Sequence, residues 1–268
     1  MGVIRGSLFV IACVLLFILL VASNAFLTID RSLDYNVVKP ELTNLLTNLA
    51  DRTINLSDQI EKTIPAMLII CENESNFIFD SEEGEQVTIP CNVVSEGSDA
   101  IIKYSFGNLI DEAYNKKYDC EYWTCFKELE GTEGLYFAVS KQAQDYWAGK
   151  FYLSLLGILI LVGVMFLLIE TRTTLPIVVG ALMIVASLPF AKLETIVGWF
   201  AKLEILQFLT VFFTKSVSVF WTGFILGLIL VGIGVILKIF KIGFKIGEFF
   251  SKFKKEKVVV KDTTKLKE

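Results

Sequence analysis

GSLFVIACVLLFILLVASNAFLTI, residues 6–29, contains no charged side chain, and its reading decides how many times the chain crosses a membrane. Only a helix satisfies its own backbone groups in hydrocarbon, and about 20 apolar residues carry a helix across. A cleaved signal peptide is the alternative, because Ser23-Asn24-Ala25 offers small residues at a cleavage position. The run is longer than a signal core and its charged flank is Arg5 alone, so it reads as a retained signal-anchor over residues 1–29. Val10-Ile11-Ala12-Cys13 fails as a lipoprotein box, since most of the apolar run follows it.

Three further uncharged runs cover Phe151–Ile169, Thr173–Ala191 and Ser216–Leu237. With 54% hydrophobic residues and a mean hydropathy of +0.60, the composition is that of a membrane protein rather than a soluble domain. The expected fold class is a polytopic α-helical membrane protein of about four transmembrane helices. A small, disulfide-stapled α+β external domain is expected between the first and second spans. The membrane domain is expected at 150–237, and a cytoplasmic basic amphipathic helix and tail at 238–268.

Lysine and arginine near span ends set orientation. Lys238, Lys241, Lys245, Lys252, Lys254 and Lys255 follow the last run closely, which places the C-terminus in the cytoplasm. Residues 28–149 hold 22 acidic against 9 basic side chains. Four spans therefore put the N-terminus inside and residues 30–149 outside a plasma membrane. Asn55-Leu56-Ser57 and Asn73-Glu74-Ser75 then read as glycan acceptors. The lysine- and isoleucine-rich style suggests a prokaryote.

Within 30–149, Leu42, Leu46, Leu49, Thr53, Leu56 and Ile60 recur at alternating spacings of four and three, the seam of one helix. Pro40 suits its first turn and Pro65 its end. The seam is read as packing within its own domain rather than as a coiled coil between subunits. Met67–Ile70, Phe77–Phe79, Val87–Ile89 and Leu135–Val139 read as short strands. A helix is expected from about Ser98 to Lys117, with Ser98 as cap and Ile102, Phe106, Leu109 and Ala113 on its buried face.

Cys13 lies in the first span and reads as a small apolar residue. Cys71, Cys91, Cys120 and Cys125 fall in the external segment, an even number suited to two disulfides. Spacing leaves three pairings open, and Cys71–Cys91 with Cys120–Cys125 is the preferred one. The stretch YDCEYWTCF, 118–126, is neither a zinc clip nor a redox motif. The chain has no histidine, and the cysteine spacing is C-x₄-C. Tyr122, Trp123 and Phe126 are expected to cover the bond.

The later runs contain no Asp, Glu, Lys or Arg, which argues against a proton-coupled pump or voltage sensor. Ser218, Thr222, Gly223 and Gly227 are candidates for close helix packing, within the chain or between copies. FAKLE recurs at 190–194 and 200–204, inside a stretch, 192–213, expected to form an interfacial amphipathic helix rather than a fifth span. The lysine-rich helix after the last span suits the anionic inner leaflet, and VVVKDTTKLKE reads as a disordered tail.

No catalytic residue, cofactor or metal ligand is expected. Serine–histidine and cysteine–histidine pairs are impossible without histidine, no phosphate-binding glycine loop is present, and Glu82-Glu83-Gly84-Glu85 lacks the spacing of a calcium loop. The expected function is non-enzymatic. The external domain would bind or organise a protein partner, as an assembly or accessory subunit or as a sensor without its own output domain. The alternative is an oligomeric passive channel or transporter subunit. The lipid bilayer is the other expected partner, and nucleic acid is not.

Overall fold

A computed structural model describes residues 3–80, 86–129, 131–169, 171–200 and 207–265, with side chains in the last helix described as far as residue 240. It is 85% helical. In chain order the elements are α1 (Val3–Ser32), α2 (Tyr35–Ile54), α3 (Leu56–Cys71), β1 (Asn76–Asp80), β2 (Gln86–Pro90), α4 (Cys91–Glu96) and α5 (Ser98–Asn115). There follow α6 (Tyr122–Glu128), α7 (Gly131–Ala138), α8 (Lys141–Leu168), α9 (Leu175–Ser187), α10 (Leu193–Phe200), α11 (Gln207–Val211) and α12 (Ser216–Lys265). Among the described residues, four stretches are long and apolar enough to cross a membrane: Ile4–Ser32, Lys141–Leu168, Arg172–Trp199 and Phe208–Phe240. The chain is a multi-pass membrane protein.

It divides into two units. The first comprises Met1–Asn24, Leu153–Ala191 and Ser218–Glu268. Its core joins Ala12, Leu16 and Leu20 of α1 to Met165 of α8 and to Leu175, Val179 and Ala186 of α9. Lipid tails are as apolar as leucine, so shape and hydrogen bonding rather than escape from water hold such helices together. The outward surface is correspondingly apolar, with Val14, Ile18, Leu159, Ile160, Ile225 and Ile229 all exposed.

Helices α9 and α12 approach closely through glycines. A Cβ on Gly227 would lie 2.7 Å from Ile184 Cγ1, and one on Gly223 would lie 3.1 Å from Ser187 Cβ. Gly234 sits against Ile177 in the same way, at 2.5 Å. Beside this seam Asn24 Nδ2 of α1 donates to the Ala186 carbonyl at 3.4 Å, and the Ser187 hydroxyl donates to the Ile184 carbonyl at 2.8 Å. The glycine face of α12 is thus occupied by α9 of the same chain.

The second unit comprises Ala25–Tyr152 and Lys192–Val217 and has two cores. One gathers Leu33, Val38, Leu42, Ile110, Tyr114, Val139, Ala143 and Val211. The other gathers Met67, Ile89, Val94 and Ile101. Helix α5 serves both, through Ile110 and Ile101. Each fully buried aliphatic side chain contributes about 1.5–3 kcal/mol.

The single helix expected across the leucine seam is two. Asn55 adopts φ 48°, ψ 51°, ending α2 and starting α3. Asparagine tolerates this left-handed conformation, and the neighbouring side chains satisfy the loosened ends. Asp51 Oδ1 accepts from Ser57 N at 3.3 Å, and Gln59 Nε2 donates to the Ile54 carbonyl at 2.7 Å. At the start of α2, Asp34 caps by accepting from Asn36 N at 3.0 Å. Pro40 therefore lies inside α2, beyond its first turn.

Pro65 does not end its helix either, because α3 runs on to Cys71. An interior proline costs about 3 kcal/mol. Burial of Met67 and the tether at Cys71 offset it. Met67–Ile70 is accordingly helix and not strand. Leu135–Val139 is also not a strand: Leu135 to Ala138 close α7, and Phe137 is fully buried. Runs of four or five apolar residues carry too little periodicity to separate the two states.

Strands β1 and β2 pair antiparallel, Phe77 opposite Ile89 and Phe79 opposite Val87. Phe77, Val87 and Ile89 pack on the smaller core. The expected Ser98 cap is the first residue of α5, and Gly97, at φ 102°, holds the cap position. On α5 the buried face is Ile101, Ile102, Gly107, Ile110, Ala113 and Tyr114, with Phe106 and Leu109 half-buried. Residues expected in a disordered tail belong to α12 as far as Lys265. The 192–213 stretch contains α10 and α11, while the second FAKLE copy from 201 onward and the acidic run at 82–85 lie outside the described residues.

Candidate functional site

Cys71 is bonded to Cys91 and Cys120 to Cys125, each pair with Cα atoms 5.5 Å apart. The first bond joins the end of α3 to the start of α4 around the hairpin. The second fastens the segment before α6 onto α6, where Cys125 is fully buried. Gln142 of α8 holds the same segment from the other side. Its amide donates to the Cys120 carbonyl at 2.8 Å and its carbonyl oxygen accepts from Tyr118 N at 3.3 Å.

An aromatic cluster surrounds this staple. The Tyr122 ring stacks on Tyr146 at 4.0 Å and 4° and meets Trp147 edge-on at 5.6 Å. Trp123 Nε1 donates to the Tyr146 hydroxyl at 2.8 Å. Such ring pairs contribute about 0.5–1.5 kcal/mol beyond their buried area. Burial pushes the Tyr122 phenol above its ordinary value. Tyr118 is also raised by burial, and its hydroxyl has no partner among the described residues.

Beside the cluster opens an apolar groove of about 400 Å³. Tyr122, Phe126 and Leu129 of the α6 region and Leu135 and Ala138 of the α7 region line it. Phe208, Leu209, Phe212 and Phe213, in and just after α11, line it as well, with Ile29 and Trp147. Two glycines belong to the α7 wall. Gly131 has φ 61°, and a Cβ on Gly134 would fall 2.8 Å from the Leu129 carbonyl oxygen.

A second apolar groove, of about 380 Å³, lies between α3, the hairpin and α5. Leu56, Ile60 and Met67 line it from α3, Phe79, Val87 and Ile89 from the strands, and Ile101 and Ser105 from α5. Phe79 is 50% exposed. Ile78 on the opposite strand face and Leu68, Ile69 and Ile70 at the end of α3 are also exposed, Ile69 by 66%.

A polar recess of about 440 Å³ is formed by Asp34, Tyr35, Tyr114, Asn115, Lys141 and Gln144. The Tyr114 hydroxyl lies 2.8 Å from Gln144 Oε1 and 3.2 Å from the Leu33 carbonyl, as donor. Burial, with the negative charges of Asp34, Asp145 and Asp30 behind it, pushes its pKa up to about 12. Next to it Lys39 Nζ meets Asp111 Oδ2 at 2.7 Å, and the Tyr35 hydroxyl donates to Asp111 Oδ1 at 2.6 Å. The hydrogen bond to Asp111 raises Lys39 above its usual range. This network crosslinks α2 to α5.

Asn55 and Asn73 are both exposed. Gly223 and Gly227 are buried against α9, whereas Ser218 is exposed and accepts from the Thr222 hydroxyl at its carbonyl, 2.9 Å. Lys238 is exposed, and the side chains of Lys241, Lys245, Lys252, Lys254 and Lys255 lie outside the described residues. Among the described residues no group of three His, Cys, Asp or Glu side chains is placed to hold a metal ion. Sequence reading missed that Phe208, Phe212 and Phe213 line one groove with Tyr122 and Phe126 of α6, for which the aromatic density of FLTVFF, 208–213, was the available signal. The Lys39–Asp111–Tyr35 network carried no such signal. No family model, curated protein or solved structure matches this chain.

Proposed function

We propose that the chain is a non-enzymatic plasma-membrane protein in which residues 30–149, part of the second unit, form a small external α+β domain that docks a protein partner. The observation that carries this reading is the apolar groove between α3 and the hairpin, with half-exposed Phe79 in its lining, together with exposed Leu68, Ile69 and Ile70 in the last turn of α3. An apolar groove with an exposed aromatic in its lining, on a water-facing unit, marks an interaction site. The disulfide Cys71–Cys91 makes the groove's walls less free to close, so less ordering entropy is lost on binding.

The topology follows from charge and redox chemistry. Two disulfides in the second unit fit an oxidising compartment. The lysines after the fourth span fit the cytoplasmic side, with a basic amphipathic helix on the inner leaflet. Both termini are then cytoplasmic, and the lysine- and isoleucine-rich composition fits a prokaryotic plasma membrane. The excess of acidic residues over basic ones in 28–149 favours a partner whose contact surface is apolar with a basic rim. The alternative, an oligomeric passive channel or transporter subunit, would use the Ser218 and Thr222 side of α12, since Gly223 and Gly227 lie against α9.

The test is site-specific photocrosslinking of the full chain in its native membrane. A benzophenone amino acid is placed at Ile69, at Phe79 and, as control, at the exposed Lys116. Ile69 and Phe79 are expected to give one and the same protein adduct, absent at Lys116. No adduct at either patch position, or the same adducts at all three, defeats the reading.

A further inference from the structure

We propose that the groove beside the Cys120–Cys125 staple holds an acyl chain of a bilayer lipid. Its volume, about 400 Å³, falls within the range of about 300–1,000 Å³ usual for small-molecule pockets. Its lining is almost wholly apolar. Tyr122 lines it, and the same ring stacks on Tyr146 and meets Trp147 edge-on.

The occupant follows from where the lining residues lie along the chain. Ile29 belongs to the end of the Ile4–Ser32 stretch, Trp147 to the start of Lys141–Leu168, and Phe208 to the start of Phe208–Phe240. Three candidate spans therefore contribute their terminal turns to one groove. Terminal turns of spans lie at the boundary between hydrocarbon and headgroups, where tryptophan and tyrosine concentrate. A chain already in the bilayer need not cross water to reach a groove at that boundary. The opposite wall, α6 and α7, belongs to none of the four spans. Acyl contact with that wall distinguishes a seated lipid from ordinary solvation of the helices.

The staple has a definite part in this. With Cys125 buried and bonded to Cys120, Tyr122 and Phe126 are carried on a short helix whose start is fixed. Leu135, 47% exposed and lining the groove, is the residue to alter without disturbing a core.

The experiment uses the full chain in phosphatidylcholine vesicles containing a phosphatidylcholine with a diazirine in one acyl chain. After illumination, adducts are located by peptide mass spectrometry. Adducts are expected on residues 126–138 as well as on the spans. Leu135→Arg is expected to lower labelling of 126–138 about tenfold while leaving span labelling unchanged, because a charge is costly in an apolar cleft. Leu135→Trp, which fills the space without charge, is expected to do the same, and it covers the case in which Leu135→Arg fails to fold. Labelling confined to the spans overturns the proposal. So does labelling of 126–138 by a free diazirine palmitic acid but not by the phospholipid, which would make the ligand a soluble fatty acid. Neither result bears on the docking groove at α3, which is read out by crosslinking alone.

Discussion

Gly180 of α9 and Gly227 of α12 touch backbone to backbone. A Cβ on Gly180 would lie 2.6 Å from the Gly227 carbonyl oxygen, and a Cβ on Gly227 would lie 2.8 Å from the Gly180 carbonyl oxygen. Backbone cannot swing aside as a side-chain tip can. Gly180→Ala or Gly227→Ala is therefore expected to cost about 1–3 kcal/mol by overpacking. Gly232→Ala, on the same helix with nothing within 4 Å, is expected to be neutral or slightly stabilising. Thermal unfolding in a mild detergent separates the two; equal effects at Gly227 and Gly232 would remove the argument for close packing.

Tyr114 predicts a loss of stability at high pH. Its pKa rises from the ordinary 10.0 to about 12 in the folded chain, so the fold favours the neutral phenol. Its contribution is complete below pH 10 and declines as pH rises from 10 to 12, where the unfolded state releases the proton and the folded state retains it. The decline amounts to about 3 kcal/mol. Melting curves across this window should show a steeper decline in the wild type than in Tyr114→Phe, where the buried phenols of Tyr118 and Tyr122 still contribute. The same variant loses the hydrogen bonds to Gln144 and Leu33 and should start about 1 kcal/mol less stable at neutral pH.

Asn55 is a test of backbone conformation. At φ 48° a glycine substitution should be neutral or mildly stabilising, whereas Asn55→Val should cost about 1–2 kcal/mol. If valine is tolerated as well as glycine, measured by denaturant midpoint, the helix break is not held in the left-handed region.

The two disulfides should differ in weight. In the chain-entropy model the bond spanning 20 residues contributes about 3 kcal/mol and the bond spanning 5 about 2 kcal/mol. Replacing Cys71 and Cys91 by serine should lower the unreduced melting temperature more than replacing Cys120 and Cys125.

The membrane spans were legible because charge-free runs of that length have few other homes. The hairpin was legible from two β-prone runs around a polar turn. The break at Asn55 was not, because asparagine inside a leucine seam is only mildly unfavourable to helix and the decisive φ is invisible in sequence. Pro65 was over-weighted: its cost is local, whereas Met67 repays it through a contact with residues distant in sequence. The glycines of α12 could be named but not assigned a partner, since Gly180 and Ile184 carry no motif of their own. The apolar groove beside α6 was hidden for a similar reason, as its walls come from stretches some 80 residues apart, Phe126 and Phe208.

The bond between Cys71 and Cys91 turns the hairpin and its flanks into a closed covalent ring. A protease that cuts the chain once between Asp80 and Gln86 opens that ring without releasing anything. The nicked protein keeps its full mass apart from one added water, and it runs as a single species on a non-reducing gel. Only a reductant divides it into an N-terminal piece with one span and a C-terminal piece with three. The unit most exposed to extracellular digestion under the proposed topology is thus built so that a single cut leaves the domain attached at both ends.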